Sequence, residues 1–459
     1  MQLQQLFREG SSFLQSGKDV EALACFRAAQ DIEPANAVLY LYAGAALHNL
    51  GSFEEAVLSY RHALDLDPNM GETHNNLGNS LMALGRFDEA AESFMRAAGL
   101  LGSSPVPLAA RATALQALGK ISEAEADCRK AITRDPDFAA AHWNLALNLL
   151  LQGRYLEGWR TYEWRWQKPD FTSPLRHTGI PLWDGSPLRG RTILLHAEQG
   201  FGDAIQFIRY APLVAQQGGK VVVECHPQLV SLFQKISAIQ AVVSFGMALP
   251  PFAVQVPFLS LPRIFGTTLQ SVPSQCPYLS IPTEYSVKWA KLVPARRETL
   301  RVGLVWAGKN YPDPLRSCPP AELAPLVAVH TATFFSLQLG SGTTPTDCIP
   351  GIPLLDLTHH IHDFADTAAL IGELDLVISI DTAVAHLAGA LGKTVWLLLP
   401  FAPDWRWLLE RSDSPWYPSM QIFRQKQPGD WGEVLLRVQE ALDIQPVTNK
   451  KSFEAAPKD

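Results

Sequence analysis

Hydrophobic and polar positions in the first third of the chain repeat in step. Glycine stands at 17, 51, 85, 119 and 153, each 34 residues after the last. Five places after each glycine comes a small residue: Ala22, Ala56, Ala90, Ala124 and Gly158. Four places further on come Phe26, Tyr60, Phe94, Cys128 and Tyr162. The pattern predicts pairs of helices, with turns at the glycines, close helix approach at the small residues, and the larger side chains filling the space between. Pro34, Pro68 and Pro136 end the second helix of their units, because proline cannot continue one. The third unit has Gly102 where a proline is expected, and its loop LLGSSPVP adds no net length.

From residue 191 the pattern changes. Runs rich in β-branched residues (TILLHAE, KVVVEC, RVGLVWAG, TFFSLQL) alternate with stretches of helical spacing (GFGDAIQFIRYAPLVAQQG, PQLVSLFQKI, PPAELAPLVAVH, DFADTAALIGEL). Strand, helix, strand alternation predicts parallel sheets. The clearest such unit is 374–400, LDLVISIDTAVAHLAGALGKTVWLLLP, a buried strand that stops at Asp381, a helix opening at Thr382 and Ala383, and a second buried strand. Residues 168–190 are rich in proline and glycine and read as a linker, as do the charged residues 283–299. That leaves a first Rossmann-like half at 191–282, a second at 300–443, and a tail at 444–459 expected to be disordered. Two such halves facing each other place a ligand cleft at the carboxyl ends of their strands.

A repeat of 34 residues built from helix pairs is the period of the tetratricopeptide repeat, so residues 1–167 are expected to form about five units. The aromatic string GWRTYEWRW is expected to be a capping turn that buries the open end of the array against the next domain. Such arrays present a concave groove to a peptide or protein, which makes a protein partner the expectation and a scaffold for dimerisation the alternative.

Composition narrows the function classes. At 459 residues the chain suggests about three domains at ~150 residues each. A net charge of −7 with no long basic run argues against a nucleic-acid surface. The six cysteines (Cys25, Cys128, Cys225, Cys276, Cys318, Cys348) form no CxxC pair and no metal-ligand spacing, which points to a reducing, cytoplasmic compartment and no structural metal. Residues 236–262 carry no charge, but four prolines interrupt them, so no membrane span is expected; the opening MQLQQLFREGSS has no signal-peptide pattern.

Three turns carry candidate chemistry. At Glu198-Gln199-Gly200-Phe201-Gly202-Asp203, glycines let backbone approach a ligand, and Asp203 either serves as a general base or complements the dipole of the helix it opens. At Trp306-Ala307-Gly308-Lys309-Asn310 and Arg316-Ser317, the two basic groups could neutralise a diphosphate or be solvated loop charge. In the third turn the free N–H groups of the helix opening at Thr382 form an anion site, to which Thr382 adds a hydroxyl. His386 lies one turn later, as a ligand contact or as a hydrogen-bonded core histidine. Trp405, Trp407 and Trp416 read as packing, with Asp404 and Arg406 as possible rim contacts, and Phe335–Gly340 is a place to look for base recognition.

SIDTAVAHLAGALGKTVWLLLP resembles the donor-site motif of the heptosyltransferase-like glycosyltransferases of family 9, which have the GT-B fold of two Rossmann-like halves. The wider set PLWDGSPLRGRTILLHAEQGFGDAIQF, RVGLVWAGKN, RSCPPAELAPL, DFADTAAL and PDWRWLLERSDSPWYP resembles the bacterial subgroup in which tetratricopeptide repeats precede that domain. The resemblance extends to about residue 443. It implies that Asp381, Thr382, Ala383 and His386 line a donor diphosphate, that Gly202-Asp203 holds the catalytic base, and that Lys309 and Arg316 lie near the leaving phosphate. Ala383 stands where heptosyltransferases usually have glycine, and the half from 191 to 282 is shorter than theirs, so heptose is not implied. The expected activity is metal-independent, inverting transfer of a hexosyl or heptosyl group from a nucleotide-sugar, with no separate cofactor. The acceptor would be a protein held by the repeats, such as flagellin by analogy with related fusions, or a lipid-linked or saccharide acceptor. The alternative is a non-catalytic adaptor with a degenerate sugar-nucleotide-binding domain.

Overall fold

The structure is a computed structural model that describes residues 1–295, 298–309, 314–340, 351 and 353–444. The chain divides into two compact units, Met1–Leu150 with Arg160–Pro169, and Leu151–Trp159 with the chain from Asp170 onward.

The first unit is a helical repeat array: α1 (Gln2–Gln15), α2 (Asp19–Ile32), α3 (Ala37–Asn49), α4 (Phe53–Leu66), α5 (Gly71–Ala83), α6 (Phe87–Leu100), α7 (Val106–Ala117), α8 (Ile121–Arg134) and α9 (Ala139–Leu151). The periodic glycines have a local cause. Gly17, Gly51, Gly85, Gly119 and Gly153 all have φ between 71° and 77°, the left-handed region where a side chain is strained. Gly51 closes α3 in that conformation: its N–H donates to His48 O at 2.9 Å, and the Ser52 N–H donates to Leu47 O at 3.0 Å. The periodic alanines Ala22, Ala56, Ala90 and Ala124 are fully buried.

A second series of small residues accounts for the aromatic one. A Cβ on Gly10 would stand 2.8 Å from the Phe26 ring, one on Gly44 2.6 Å from Tyr60, and one on Gly78 2.5 Å from Phe94. In the next unit the ring is replaced by Cys128, and the matching position is Ala112, also buried. Methyl and ring exchange within the pair, so each unit fills the same gap.

Helix α10 spans Tyr155–Tyr162; its residues to Trp159 belong to the second unit and those from Arg160 to the first. Tyr155 and Trp159 pack among Phe207, Trp405 and Trp416, while Tyr162 meets Trp143 at 5.0 Å within the array. A short 3-10 turn, Glu163–Gln167, follows, with Trp164 stacked on His142 at 3.8 Å.

The second unit contains two parallel sheets. The first has strands β1 (Thr192–His196), β2 (Lys220–Cys225), β3 (Ile239–Ser244) and β4 (Val254–Pro257) in the order β3-β2-β1-β4. Its helices are α11 (Phe201–Phe207), α12 (Ala211–Ala215), α13 (Val230–Phe233) and α14 (Leu261–Ile264). The second sheet follows α15 (Thr283–Leu292), which occupies most of the stretch read as a linker; Trp289 on it is buried and donates to Asp366 at 2.8 Å. That sheet has β5 (Leu300–Val305), β6 (Ala332–Ser336), β7 (Leu354–Leu355), β8 (Leu376–Ile380), β9 (Thr394–Leu399) and β10 (Met420–Arg424), ordered β10-β9-β8-β5-β6-β7. Helices α16 (Phe364–Gly372), α17 (Ala383–Ala390) and α18 (Trp431–Ile444) complete it.

In both sheets the first strand lies inside, the next two extend to one side, and the later strands extend to the other. This order reverses direction between β1 and β4 and between β5 and β8, and a crevice opens at the carboxyl ends of strands at such a switch point. Strands β1, β5, β8 and β9 are buried almost throughout, as parallel strands covered on both faces must be.

One element differs in kind from its sequence reading. PPAELAPLVAVH contains a 3-10 helix at Pro320–Ala328 and no α-helix. Pro325, in its interior, has no N–H to donate and its ring blocks the preceding turn, so the tighter winding persists. Ile444, placed with the tail, is the last residue of α18; residues 445–459 and Cys348 lie outside the described residues. Among the described residues, no helix is long and apolar enough to cross a membrane.

Gly78→Ala should destabilise the repeat array by about 1–2 kcal/mol, because overpacking against Phe94 outweighs the gain of ~1 kcal/mol in helix propensity. Denaturant midpoints of the two proteins measure this, and an unchanged or raised midpoint would contradict the packing account.

Candidate functional site

The strand-to-helix turns at both switch points converge. After β1 the chain passes Glu198 and Gly200 into α11; after β8 it passes Asp381 and Thr382 into α17. The two helices pack against each other, and Gly202 marks the closest approach: a Cβ there would lie 3.0 Å from the His386 ring and 3.6 Å from Ala383 Cα. The sequence reading used Gly202 for approach to a ligand; in the fold its missing side chain admits α17. Gly202-Asp203 and Thr382-Ala383-His386, about 180 residues apart in sequence, are thereby brought together.

Asp203 has two roles visible in the structure. Its Oδ2 accepts the N–H of Gly200 at 3.2 Å, which caps α11, and its Oδ1 accepts a hydrogen bond from Arg406 Nη2. Burial pushes its carboxyl up, and the Arg406 guanidinium opposes that shift. Its side chain is still 18% exposed, so a ligand can reach it.

Arg406, expected at the rim, is buried at the centre of the cluster. The loop after β9 delivers it through a 3-10 turn, Trp405–Trp407, capped by Asp404, which accepts the Arg406 N–H at 3.0 Å. Besides Asp203, the guanidinium donates to Asp404 Oδ1 at 2.8 Å and to Gln206 Oε1 at 2.7 Å, and it lies over the Trp405 ring at 4.2 Å. Gln206 on α11 carried no signal in the sequence, since a glutamine inside an apolar helix face could equally be surface.

Asp381 retains 16% side-chain exposure and lies 3.7 Å from His386 Nε2. Burial first and the neighbouring Asp404 second push its carboxyl up to about 6. His386 is buried, stacks on Trp407 and is hydrogen-bonded through Nδ1 to the Tyr417 hydroxyl at 2.8 Å. Burial, with Arg406 and Arg209 nearby, holds its pKa well below the usual value, so the ring is neutral. The hydrogen-bonded core alternative therefore describes His386, with only its Nε2 edge turned to Asp381. Thr382 is the N-cap of α17; its hydroxyl pairs with Ser379 Oγ at 3.1 Å and makes no capping bond within the helix.

The loop after β5 completes the cluster. Arg316 donates from Nη2 to Lys309 O at 3.0 Å, folding back over Gly308, where a Cβ would lie 2.9 Å from Arg316 Nε. Arg316 opposes the rise of the Asp381 carboxyl, and burial first, then Arg176 and Lys309, hold the pKa of His226, just after β2, below its usual value. Asn310 lies outside the described residues. Gln338, in the segment suggested for base recognition, takes the N–H groups of Trp306 and Ala307 at 3.2 and 3.0 Å and donates to Ala307 O at 3.0 Å, so it latches this loop.

Trp405, Trp407 and Trp416 are buried packing, as read. Trp416, with the rings of Tyr278 and Tyr417, lies against a second buried cation, Arg209, which donates to Gln206 O at 2.8 Å, Trp416 O at 2.7 Å, Pro273 O at 3.1 Å and the Tyr278 hydroxyl at 2.9 Å. Two open cavities lie apart from this cluster. One of about 480 Å³ is lined by Leu175, Arg176, Ile180, Leu182 and Gln255. The other, of about 540 Å³, lies in the repeat array between α1 and α3, lined by Leu3, Phe7, Arg8, Val38 and Leu39.

Comparison with known proteins identifies the first unit. Tetratricopeptide-repeat family profiles match residues 44–85, 71–100 and 109–158, so the array is a tetratricopeptide array, a protein-interaction scaffold. Over 373 residues the chain is 28% identical to Protein FlbA of Caulobacter vibrioides, an alignment covering 70% of this chain and 58% of that protein. The chain thus spans less than two thirds of that relative's length. Among solved structures, PilF of Pseudomonas aeruginosa is similar at 19% identity over 36% of this chain and 74% of its own, with a TM-score of 0.34. MamA from Desulfovibrio magneticus is similar at 18% identity over 36% and 90%, with a TM-score of 0.33.

The raised Asp381 carboxyl sets a pH dependence. A carboxyl pKa raised on folding adds stability below its unfolded value, and that contribution is lost as pH rises through about 6. Asp381→Asn should therefore melt higher than the wild type at pH 7.5, with the difference shrinking as pH falls to 5. Melting curves across that range test this; a difference that grows toward low pH would show that the buried charge is stabilising.

Proposed function

We propose that the α/β unit is a glycosyltransferase of the GT-B type that moves a sugar from a nucleotide-sugar donor to an acceptor, and that the repeat array binds a protein or peptide, the acceptor or its carrier. One observation carries the reading: at the switch points of two parallel sheets, the anion-binding start of α17 lies directly against a turn that presents a carboxylate, Asp203. A transferase acting on a sugar diphosphate needs these two features, one for the leaving group and one for the attacking hydroxyl.

In this mechanism the diphosphate lies at the start of α17, where unpaired N–H groups and the Thr382 hydroxyl meet its oxygens, with Asp381 and Ala383 beside them. Lys309 and Arg316 add positive charge as the negative charge develops on the departing group. Asp203 takes the proton from the acceptor hydroxyl as that oxygen attacks the anomeric carbon, which inverts the configuration. His386 is neutral and held by Tyr417, so it shapes the floor of the site without adding charge. The groove between α1 and α3 supports a peptide partner for the array.

The direct test is a thermal-shift screen across UDP-, GDP-, ADP- and CMP-sugars. A donor at one hundred times its dissociation constant should raise stability by ~2.7 kcal/mol. With the responding donor, Asp203→Asn should lower turnover by about 10²–10⁴-fold while leaving donor binding in place. Unchanged turnover would remove Asp203 as the base. Binding without turnover by the wild type would instead favour a sugar-nucleotide-sensing adaptor.

A further inference from the structure

We propose that Arg406 is a positioning residue of this site: reaching from the loop after β9, it fixes the Asp203 carboxylate of the opposite half in the orientation and charge state from which it can accept a proton. The assignment rests on the transferase reading for what Asp203 does, and on geometry alone for what Arg406 does.

The geometry is that of a fork with every tine used. Nη2 holds Asp203, Nη1 holds Asp404 and Nε holds Gln206, while the guanidinium plane rests on the Trp405 ring. Gln206 lies on α11 with Asp203, so Arg406 grips the same helix at two points one turn apart. A guanidinium bound at three edges and stacked on a face has one available orientation, and it transmits that orientation to the carboxylate it holds. Lysine, a point charge on a flexible stem, could supply charge but not the fork.

The charged surroundings make the pair unequal. Facing Asp203 are Arg406 and Asp404 from the β9 loop, the Gly200 N–H from its own turn, and across α17 the neutral His386 with Asp381 beyond it. Burial and Asp404 both favour a protonated Asp203, and the Arg406 cation opposes them. Removing Arg406 leaves burial and Asp404 pushing the carboxyl up with only the Gly200 N–H against them. A residue serving only to pack Trp405 would have no such effect.

The experiment is a titration of aspartate carboxyl carbons by ¹³C NMR in the full chain, with the Asp203 resonance assigned by its loss in Asp203→Asn. In Arg406→Gln the Asp203 midpoint should rise by at least about one pH unit, and in Arg406→Lys, which keeps the charge, by less than about half of that shift. The acid limb of kcat/KM for the donor found by thermal shift should move with it. An Asp203 midpoint unchanged in Arg406→Gln overturns the assignment. The two readings fail separately. A shifted midpoint with no turnover of any nucleotide-sugar by the wild type removes the transferase and leaves Arg406 holding Asp203. Turnover with an unmoved midpoint does the reverse.

Discussion

A guanidinium buried in the middle of the α/β unit, that of Arg209, sets the terms for everything around it. A charge removed from water is costly unless each of its donors is met, and here they are met by groups from three separate stretches of chain. Gln206 O belongs to α11, Pro273 O and the Tyr278 hydroxyl to the segment after the first sheet, and Trp416 O to the approach to β10. The rings of Tyr278 and Tyr417 close over it at 4.4 and 4.6 Å. No one of these stretches can shift without stranding the cation, so Arg209 locks the first sheet's helix layer to the second sheet's last strand. Breaking a buried arrangement of this kind typically costs about 3–5 kcal/mol.

From that lock the site inherits its order. Tyr417, packed on Arg209, offers its hydroxyl to His386; His386 fills the place that Gly202 vacates; and Gly202 sets the height at which Asp203 leaves α11. The second arginine, Arg406, then closes the outer side. Two cations thus flank one short helix. Arg209, turned inward, is spent on carbonyls and hydroxyls, while Arg406, turned outward, meets carboxylates. Burial pushes both the Asp203 and the Asp381 carboxyls up; the outer arginine opposes it at both, joined at Asp203 by the Gly200 N–H and at Asp381 by Trp407 and Arg316.

What could be read in the sequence divides along the same line between local and distant causes. The glycine period was legible because each glycine answers a demand made within four residues, a left-handed turn after a helix. Gly202-Asp203 and Thr382-Ala383-His386 were legible for a similar reason: each begins a helix directly after a strand, and strand-to-helix turns at a switch point face a crevice whatever the rest of the fold does. Arg406 was seen but misplaced at the rim, because its partner lies 203 positions away and WRW carries no mark of what it will meet. Gln206 and Tyr417 gave no signal of their own, and Gln338 was marked only as part of Phe335–Gly340 and for base recognition, since their hydrogen-bond partners are set by how loops cross at the sheet ends. The 3-10 helix at Pro320–Ala328 was misread for a local reason: apolar spacing suited an α-helix, and the interior proline was given too little weight.

The exchange of ring for methyl in the repeat array constrains how such arrays can be rebuilt. In each unit the small residue lies on the first helix and its bulky partner on the second: Gly44 with Tyr60, Gly78 with Phe94, Ala112 beside Cys128. The complementarity is closed within a unit. Whole units can therefore be deleted, duplicated or transposed without disturbing it, whereas a recombination joint placed between the two helices of a unit would set Ala112 against a phenylalanine or Gly78 against a cysteine, one overfilled and the other hollow. The modular boundary of this array is thus the joint after the second helix, and lineages that lengthen or shorten it should show their breakpoints there.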